Sequence, residues 1–182
     1  MTETRAFSPR RMVVAALALA LCYVLPFLTL QIPTLGGMLC PMHIPVLLCG
    51  FFCGPFWGAA VGLVAPLLRS LTIGAPPLFP GAVGMAAELF AYGFLAGLFC
   101  RLLPKKWWGL YLSLLGAMLG GRIVWGVVRW GLAALFHLPF TLSFFLAEAF
   151  VNALPGICLQ FLLIPPLVGW LDEYSPPRGS AV

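Results

Sequence analysis

The chain alternates between long apolar segments and short connections rich in proline, glycine or basic residues. Six apolar segments are present, at residues 11–30, 43–53, 56–73, 81–102, 107–136 and 140–171. A helix that crosses a membrane needs about 20 predominantly apolar residues, and proline or glycine between such segments favours turns. The pattern predicts an all-α, polytopic membrane protein with six transmembrane helices.

The composition excludes a water-soluble domain. Hydrophobic residues make up 62% of the 182 residues and charged residues only 8%, whereas soluble domains average about 25% charged. Six helices with short connections account for the whole length. We therefore expect residues 1–182 to form a single integral-membrane domain in the lipid bilayer, with flexible tails at 1–10 and 173–182.

The basic residues predict the orientation of the chain. The net charge is +5, but lysine and arginine occur in small groups at the N-terminus, around residues 101–106 and at the C-terminus. This distribution follows the positive-inside rule and does not resemble a nucleic-acid surface. With an even number of crossings, both termini are expected to be cytoplasmic, and the proline-rich connections face outward.

Four ionisable side chains lie within the apolar segments, which is costly in hydrocarbon and marks a functional site. They are Arg69, Glu88, Arg122 and Glu148, each on a different segment. At a rise of 1.5 Å per residue, all four fall at one level in the outer third of the membrane. Their shared depth predicts a solvated pocket, and the two arginines favour an anionic solute.

Polar and aromatic neighbours lie at the same level. We expect the binding site to include Tyr92, one turn below Glu88, Asn152, one turn below Glu148, Trp125 and His43. Arg129, two turns outward of Arg122, is expected to be an interfacial anchor or a charge at the mouth of the pocket.

Other interpretations of these residues remain open. The arginines and glutamates could pair only to hold helices together, or serve a solitary proton-coupled carrier. A membrane enzyme using Glu88, Glu148 and His43 is disfavoured, because no hydrolase spacing and no nucleotide-binding loop occurs. The cysteines form no CxxC pair, and neither a metal nor a cofactor is expected.

Several stretches together resemble a known family, the vitamin-binding S components of bacterial energy-coupling factor (ECF) transporters. The stretches are CPMHIPVLLCG at 40–50, Gly54-Pro55, PLLRSL at 66–71, PPLFP at 76–80, MAAEL at 85–89, GRIVWG at 121–126 and NALPG at 152–156. The match covers nearly the entire chain and is specific as a pattern.

The resemblance implies a six-helix subunit, not an enzyme, in a bacterial cell membrane. Such a subunit captures a vitamin beneath its outward loops and works with a membrane coupling protein and two cytoplasmic ATPases. Ala16 and Ala20, spaced for close helix contact, match the motif by which the family meets the coupling protein. Within the family the pattern is closest to pantothenate subunits, and riboflavin, folate or a thiamine precursor are the alternatives.

Overall fold

The computed structural model describes residues 8–29, 38–104, 106–137 and 139–173, which are almost entirely helical. The helices are α1 Pro9–Val24, α2 His43–Cys53, α3 Pro55–Ile73, α4 Val83–Leu102, α5 Trp107–Phe136, α6 Leu142–Leu146 and α7 Leu154–Glu173. No strand occurs among the described residues. The all-α prediction is confirmed.

Within the part of the chain that the structure describes, five helical stretches are long and apolar enough to cross a membrane. They are Pro9–Leu28, Pro55–Ile73, Leu78–Leu102, Trp107–Phe136 and Leu142–Trp170. The sixth apolar segment, α2, has 11 residues; it is therefore about 16 Å long, too short to cross a ~30 Å hydrocarbon core by itself. The chain is a multi-pass membrane protein whose described residues include six apolar helical segments, five of them of spanning length.

Helix α1 begins earlier than the sequence predicts. The Ser8 hydroxyl accepts a hydrogen bond from the Arg11 amide at 3.4 Å, and Pro9 takes the first helical position, where its missing amide proton costs nothing. The end of the predicted tail at 1–10 is therefore helical. Residues 1–7 of that tail, 174–182 of the other tail and 31–37 of the first connection lie outside the described residues.

The predicted sixth segment is divided. Helix α6 runs into a π-helical turn, Ala147–Val151, and α7 begins at Leu154 after a break at Asn152 and Ala153. Pro155 is the second residue of α7, a position that tolerates proline because its amide has no intrahelical partner there. Pro165 and Pro166 lie inside α7, which is nevertheless a single helix.

Helix α2 lies in the interior of the bundle, packed against α1, α3, α4 and α7. Eight of its 11 residues are buried, as expected for a helix that is apolar on all sides. The neighbouring pair α3 and α4 approaches closely through glycine. A Cβ atom on Gly93 of α4 would overlap the backbone of Gly58 on α3, and one on Gly62 would overlap the backbone of Leu89.

Contacts with the α2–α3 turn bring Arg11 and Arg101 to the same end of the bundle. The Cys53 thiol lies 3.6 Å from the Arg11 carbonyl oxygen, and the Arg101 guanidinium packs against Gly54 in the turn between α2 and α3. The start of α1, the α2–α3 turn and the end of α4 therefore share one end. His43, at the start of α2, faces the other end.

Candidate functional site

Two of the four predicted membrane charges meet directly. Arg122 of α5 places Nη1 2.9 Å from Oε1 of Glu88 on α4. The residues are only 7% and 3% exposed, so each charge is compensated mainly by the other. The distance defines an ion pair, although the geometry falls short of a hydrogen bond at Glu88 Oε1.

His43 and Tyr92 complete a compact polar group with this pair. Nε2 of His43 lies 3.5 Å from Glu88 Oε1, and the His43 ring meets the Tyr92 ring edge to face at 5.0 Å. Tyr92 lies one turn along α4 from Glu88 and is fully buried. Three helices, α2, α4 and α5, therefore contribute to one site.

Gly121 allows Tyr92 to lie flat against α5. A Cβ atom at Gly121 would lie 2.6 Å from Cε2 of Tyr92 and closer still to Cδ2. The residue before Arg122 must therefore be glycine if the phenol ring and the guanidinium are to occupy adjacent space.

Cys40 is a member of the site that the sequence did not indicate. Nη2 of Arg122 lies 3.7 Å from the Cys40 sulfur, and Cys40 has a φ of 47°, a left-handed conformation uncommon outside glycine. Burial raises the pKa of the Cys40 thiol, and the neighbouring Arg122 opposes that rise. We call His43, Glu88, Tyr92, Arg122 and Cys40 the buried cluster.

Several polar atoms of the buried cluster have no hydrogen-bond partner. They are Nδ1 and Nε2 of His43, Oε1 of Glu88, the Tyr92 hydroxyl and Nε of Arg122. Buried polar groups are normally hydrogen-bonded, and a concentration of exceptions requires an explanation such as a bound ligand. The cluster offers donors and acceptors around an ion pair with no net charge, which suits hydrogen bonding to a polar, uncharged group.

Glu148 and Asn152 lie at the edge of this region. The Asn152 amide donates a 2.8 Å hydrogen bond to Oε1 of Glu148 across the π-helical turn, and π turns are frequent at functional sites. Glu148 is close enough to the Cys40 thiol to act on it electrostatically, as Glu88 does. Glu148 therefore lies near the buried cluster and Asn152 is joined to Glu148 by this hydrogen bond, and neither forms an ion pair with Arg122 among the described residues.

Arg69, the remaining membrane charge, has a different set of contacts. Its Nη1 donates a 2.9 Å hydrogen bond to the Tyr23 carbonyl at the end of α1, and its guanidinium lies 5.2 Å from the centre of the Phe27 ring. Within the described part of the chain it forms no ion pair with either glutamate. Its predicted contact with the solute stays a prediction.

Trp125 lies between the buried cluster and Arg129. Its ring stacks on Phe145 at 5.9 Å and meets Phe140 at 6.1 Å, and the Arg129 guanidinium lies 5.9 Å from its centre. Trp125 thus lies in a group of aromatic rings beside α5, and its predicted place in the wall of the binding site stays a prediction. Phe140 and Phe145 were not predicted, because aromatic residues are common in apolar segments and carry no signal of their own.

The chemistry of these residues offers no metal centre. No group of three histidine, cysteine or acidic side chains within the described ranges could hold a metal ion.

Ala16 and Ala20, the predicted partner-binding residues, are exposed on α1.

Comparison with known proteins identifies the family. Residues 10–168 match the family described as ECF transporter, substrate-specific component, so the chain belongs to it. No curated protein and no solved structure matched the chain in the same comparisons.

Membership establishes the general role of the chain. Substrate-specific components bind a small-molecule substrate and work with a coupling protein and ATPases. They are transport subunits and not enzymes, so the expectation of a non-enzymatic protein is confirmed. The chain is the substrate-binding subunit of a membrane transporter.

Proposed function

We propose that this chain captures a small, water-soluble anionic vitamin from outside a bacterial cell, with pantothenate as the first candidate. The buried cluster forms the floor of the binding site, bordered by Trp125, Glu148 and Asn152. The observation that carries the proposal is the set of unpartnered buried atoms on His43, Glu88, Tyr92 and Arg122.

The chemistry of pantothenate fits these atoms. Its two hydroxyl groups and its amide supply both donors and acceptors, and these can pair with the buried atoms of His43, Glu88 and Tyr92 that have no hydrogen-bond partner. A site built to hydrogen-bond hydroxyl and amide groups discriminates strongly against molecules without them, because its buried polar atoms would stay unpaired. The Glu88–Arg122 pair then orients the solute without adding net charge.

The arrangement of the helix ends supports the proposed orientation, with both termini cytoplasmic. Trp107 at the start of α5 lies 3.1 Å from the position of a Cβ on Gly169, near the end of α7. Arg11, Arg101 and the α2–α3 turn also share one end of the bundle. Arg11 and Arg101 thus lie at one end of the bundle and the buried cluster lies toward the other, which supports outward-facing capture.

Delivery of the vitamin would use the exposed face of α1. Ala16 and Ala20 are small and exposed, so a helix of the coupling protein can approach closely there. The two ATPases would supply the energy through that protein.

Native mass spectrometry of the protein, purified gently from cells grown with pantothenate, tests the proposal. We expect one molecule of pantothenate per chain. A different retained vitamin would replace pantothenate and leave capture intact. A folded protein that retains no small molecule, and that none of pantothenate, riboflavin, folate, biotin and thiamine stabilises against heat, would overturn the proposal.

A further inference from the structure

Arg129 lies outside the buried cluster, on the same face of α5 as Arg122 and two turns farther along. Its side-chain stem packs against the first turn of α4, where a Cβ on Gly84 would lie 3.0 Å from Arg129 Cδ. Its guanidinium lies 5.9 Å from the centre of the Trp125 ring and 5.8 Å from that of Phe140. We call Arg129, Trp125 and Phe140 the outer arginine site.

The outer arginine site holds a cation without an anion. Nε of Arg129 is buried and has no hydrogen-bond partner, and no ion pair to Arg129 occurs among the described residues. Aromatic rings attract a cation through their faces but accept no strong hydrogen bond from it. The N–H donors of the Arg129 guanidinium are therefore held in position and remain available to an acceptor.

Arg122 and Arg69, the two arginines predicted at the level of the pocket, are already engaged. Arg122 is paired with Glu88 at 2.9 Å, and Arg69 donates to the Tyr23 carbonyl at 2.9 Å. An anion at either position would compete with a group already present. An anion at Arg129 would compete with none of the described residues for the guanidinium.

We infer that Arg129 binds the anionic end of the captured solute, and that Trp125 and Phe140 hold the guanidinium in position for a carboxylate. The inference rests on the proposed function and refines it: the substrate is an elongated molecule with hydrogen-bonding groups at one end and a carboxylate at the other. The hydrogen-bonding end meets the buried cluster, and the carboxylate meets the outer arginine site.

The geometry of α5 sets the length of such a molecule. Two turns of helix separate the Cα atoms of Arg122 and Arg129 by about 10.5 Å. Because both guanidinium groups extend from one face, a solute that spans the two sites needs its polar groups and its carboxylate separated by a distance of that order. Compact anions such as phosphate or acetate are too short to reach both.

Binding of two matched probes to variants of Arg129 tests the inference. The probes are pantothenate and pantothenol, in which a hydroxymethyl group replaces the carboxylate. Equilibrium binding is measured for wild type, R129Q, R129K and the control R101Q, which removes an arginine from the opposite end of the bundle. All proteins are held in nanodiscs of zwitterionic phosphatidylcholine, so that no anionic lipid competes for the arginine.

We expect R129Q to bind pantothenate about 10- to 100-fold more weakly than wild type, the range of a lost charge-assisted hydrogen bond. Pantothenol affinity should change by less than about 3-fold, because that probe carries no charge for Arg129 to meet. R129K keeps the positive charge but loses the planar set of guanidinium donors. Its affinity for pantothenate should lie between those of wild type and R129Q. R101Q should bind both probes as wild type does.

Other results would overturn the inference. Unchanged pantothenate affinity in R129Q, or equal weakening of both probes, would show that Arg129 does not meet the carboxylate. If R129Q lost pantothenate affinity relative to wild type only after phosphatidylglycerol was added to the nanodiscs, Arg129 would be assigned to binding lipid headgroups. If wild type bound uncharged riboflavin or cationic thiamine instead of an anionic vitamin, capture would stand and the anion site would not; binding of no vitamin at all would refute the proposed function itself.

Discussion

The guanidinium of Arg122 and the carboxylate of Glu88 lie 2.9 Å apart between α5 and α4, both almost fully buried. Removing two charges from water is costly, and such a pair often contributes less stability than apolar residues of the same volume. The presence of the Arg122–Glu88 pair is better explained by its effect on neighbouring side chains than by a gain in stability. It positions the polar groups of the buried cluster while keeping their net charge at zero.

Breaking the pair on one side should destabilise the protein. In E88Q the arginine keeps its charge and loses its partner, and we expect a loss of about 3–5 kcal/mol of unfolding free energy. The double variant E88Q/R122Q removes both charges and should recover part of this loss. Thermal unfolding of wild type, both single variants and the double variant in one detergent measures the coupling. Equal stability of E88Q and wild type would show that Arg122 has another anionic partner.

Tyr92 should affect binding more than folding. Its hydroxyl is buried without a partner, so Y92F removes an unsatisfied group and should leave thermal stability equal or slightly higher. If the hydroxyl bonds the solute, the variant should bind about 3- to 10-fold more weakly. Y111F, at a half-exposed tyrosine of α5, is the matched control. A stable Y92F protein with wild-type affinity would place the solute away from this hydroxyl.

The close approach of α3 and α4 should depend on glycine at their contact. A methyl group at Gly93 would overlap the backbone of Gly58, so G93A must separate the helices and should lose about 1–3 kcal/mol. Gly131 on α5 has nothing within 4 Å of an added Cβ, and G131A should be neutral or up to about 1 kcal/mol more stable, because alanine favours helix. Thermal unfolding of the two variants compares them directly. Similar effects of both would argue against this packing of α3 and α4.

Assembly should depend on the small residues of α1. A20W places a large ring on an exposed alanine face, where it would prevent close approach of another helix. We expect A20W to bind the vitamin as wild type does but to lose co-purification with the coupling protein and ATPases. A60W changes an exposed alanine of α3 and is the control. If A20W assembled normally, the partner would have to meet another surface.

The sequence predicted well how deep each charged residue lies along its helix, but predicted poorly which way its side chain faces around the helix axis. Glycine and proline placed the ends of α2 and α5 correctly and those of α3 to within one residue, because these residues end or begin helices through local chemistry. Counting the rise per residue placed Glu88 and Arg122 at one level, and the structure joins them. The same count grouped Arg69 with them, whereas the Arg69 guanidinium contacts the Tyr23 carbonyl and the Phe27 ring. Depth follows from chain position alone, whereas the face that each residue presents depends on packing between helices.

Two other features had no local signal. The left-handed conformation of Cys40 is imposed by the turn that leads into α2, and cysteine has no preference for it. The break at Asn152 and Ala153 divides a segment whose apolar pattern is continuous. Both features border the site, where tertiary contacts outweigh local preference.

Equilibrium binding of labelled pantothenate to wild type, E88Q/R122Q and the control R101Q tests the central claim most directly. The double variant keeps the charge balance and removes the ion pair from the buried cluster, so it should fold and bind at least about 100-fold more weakly, as expected when several polar contacts are lost together. R101Q should bind within about 3-fold of wild type, because the Arg101 guanidinium packs against Gly54 at the opposite end of the bundle. A folded double variant that bound pantothenate as tightly as wild type would contradict the assignment of the buried cluster as the capture site.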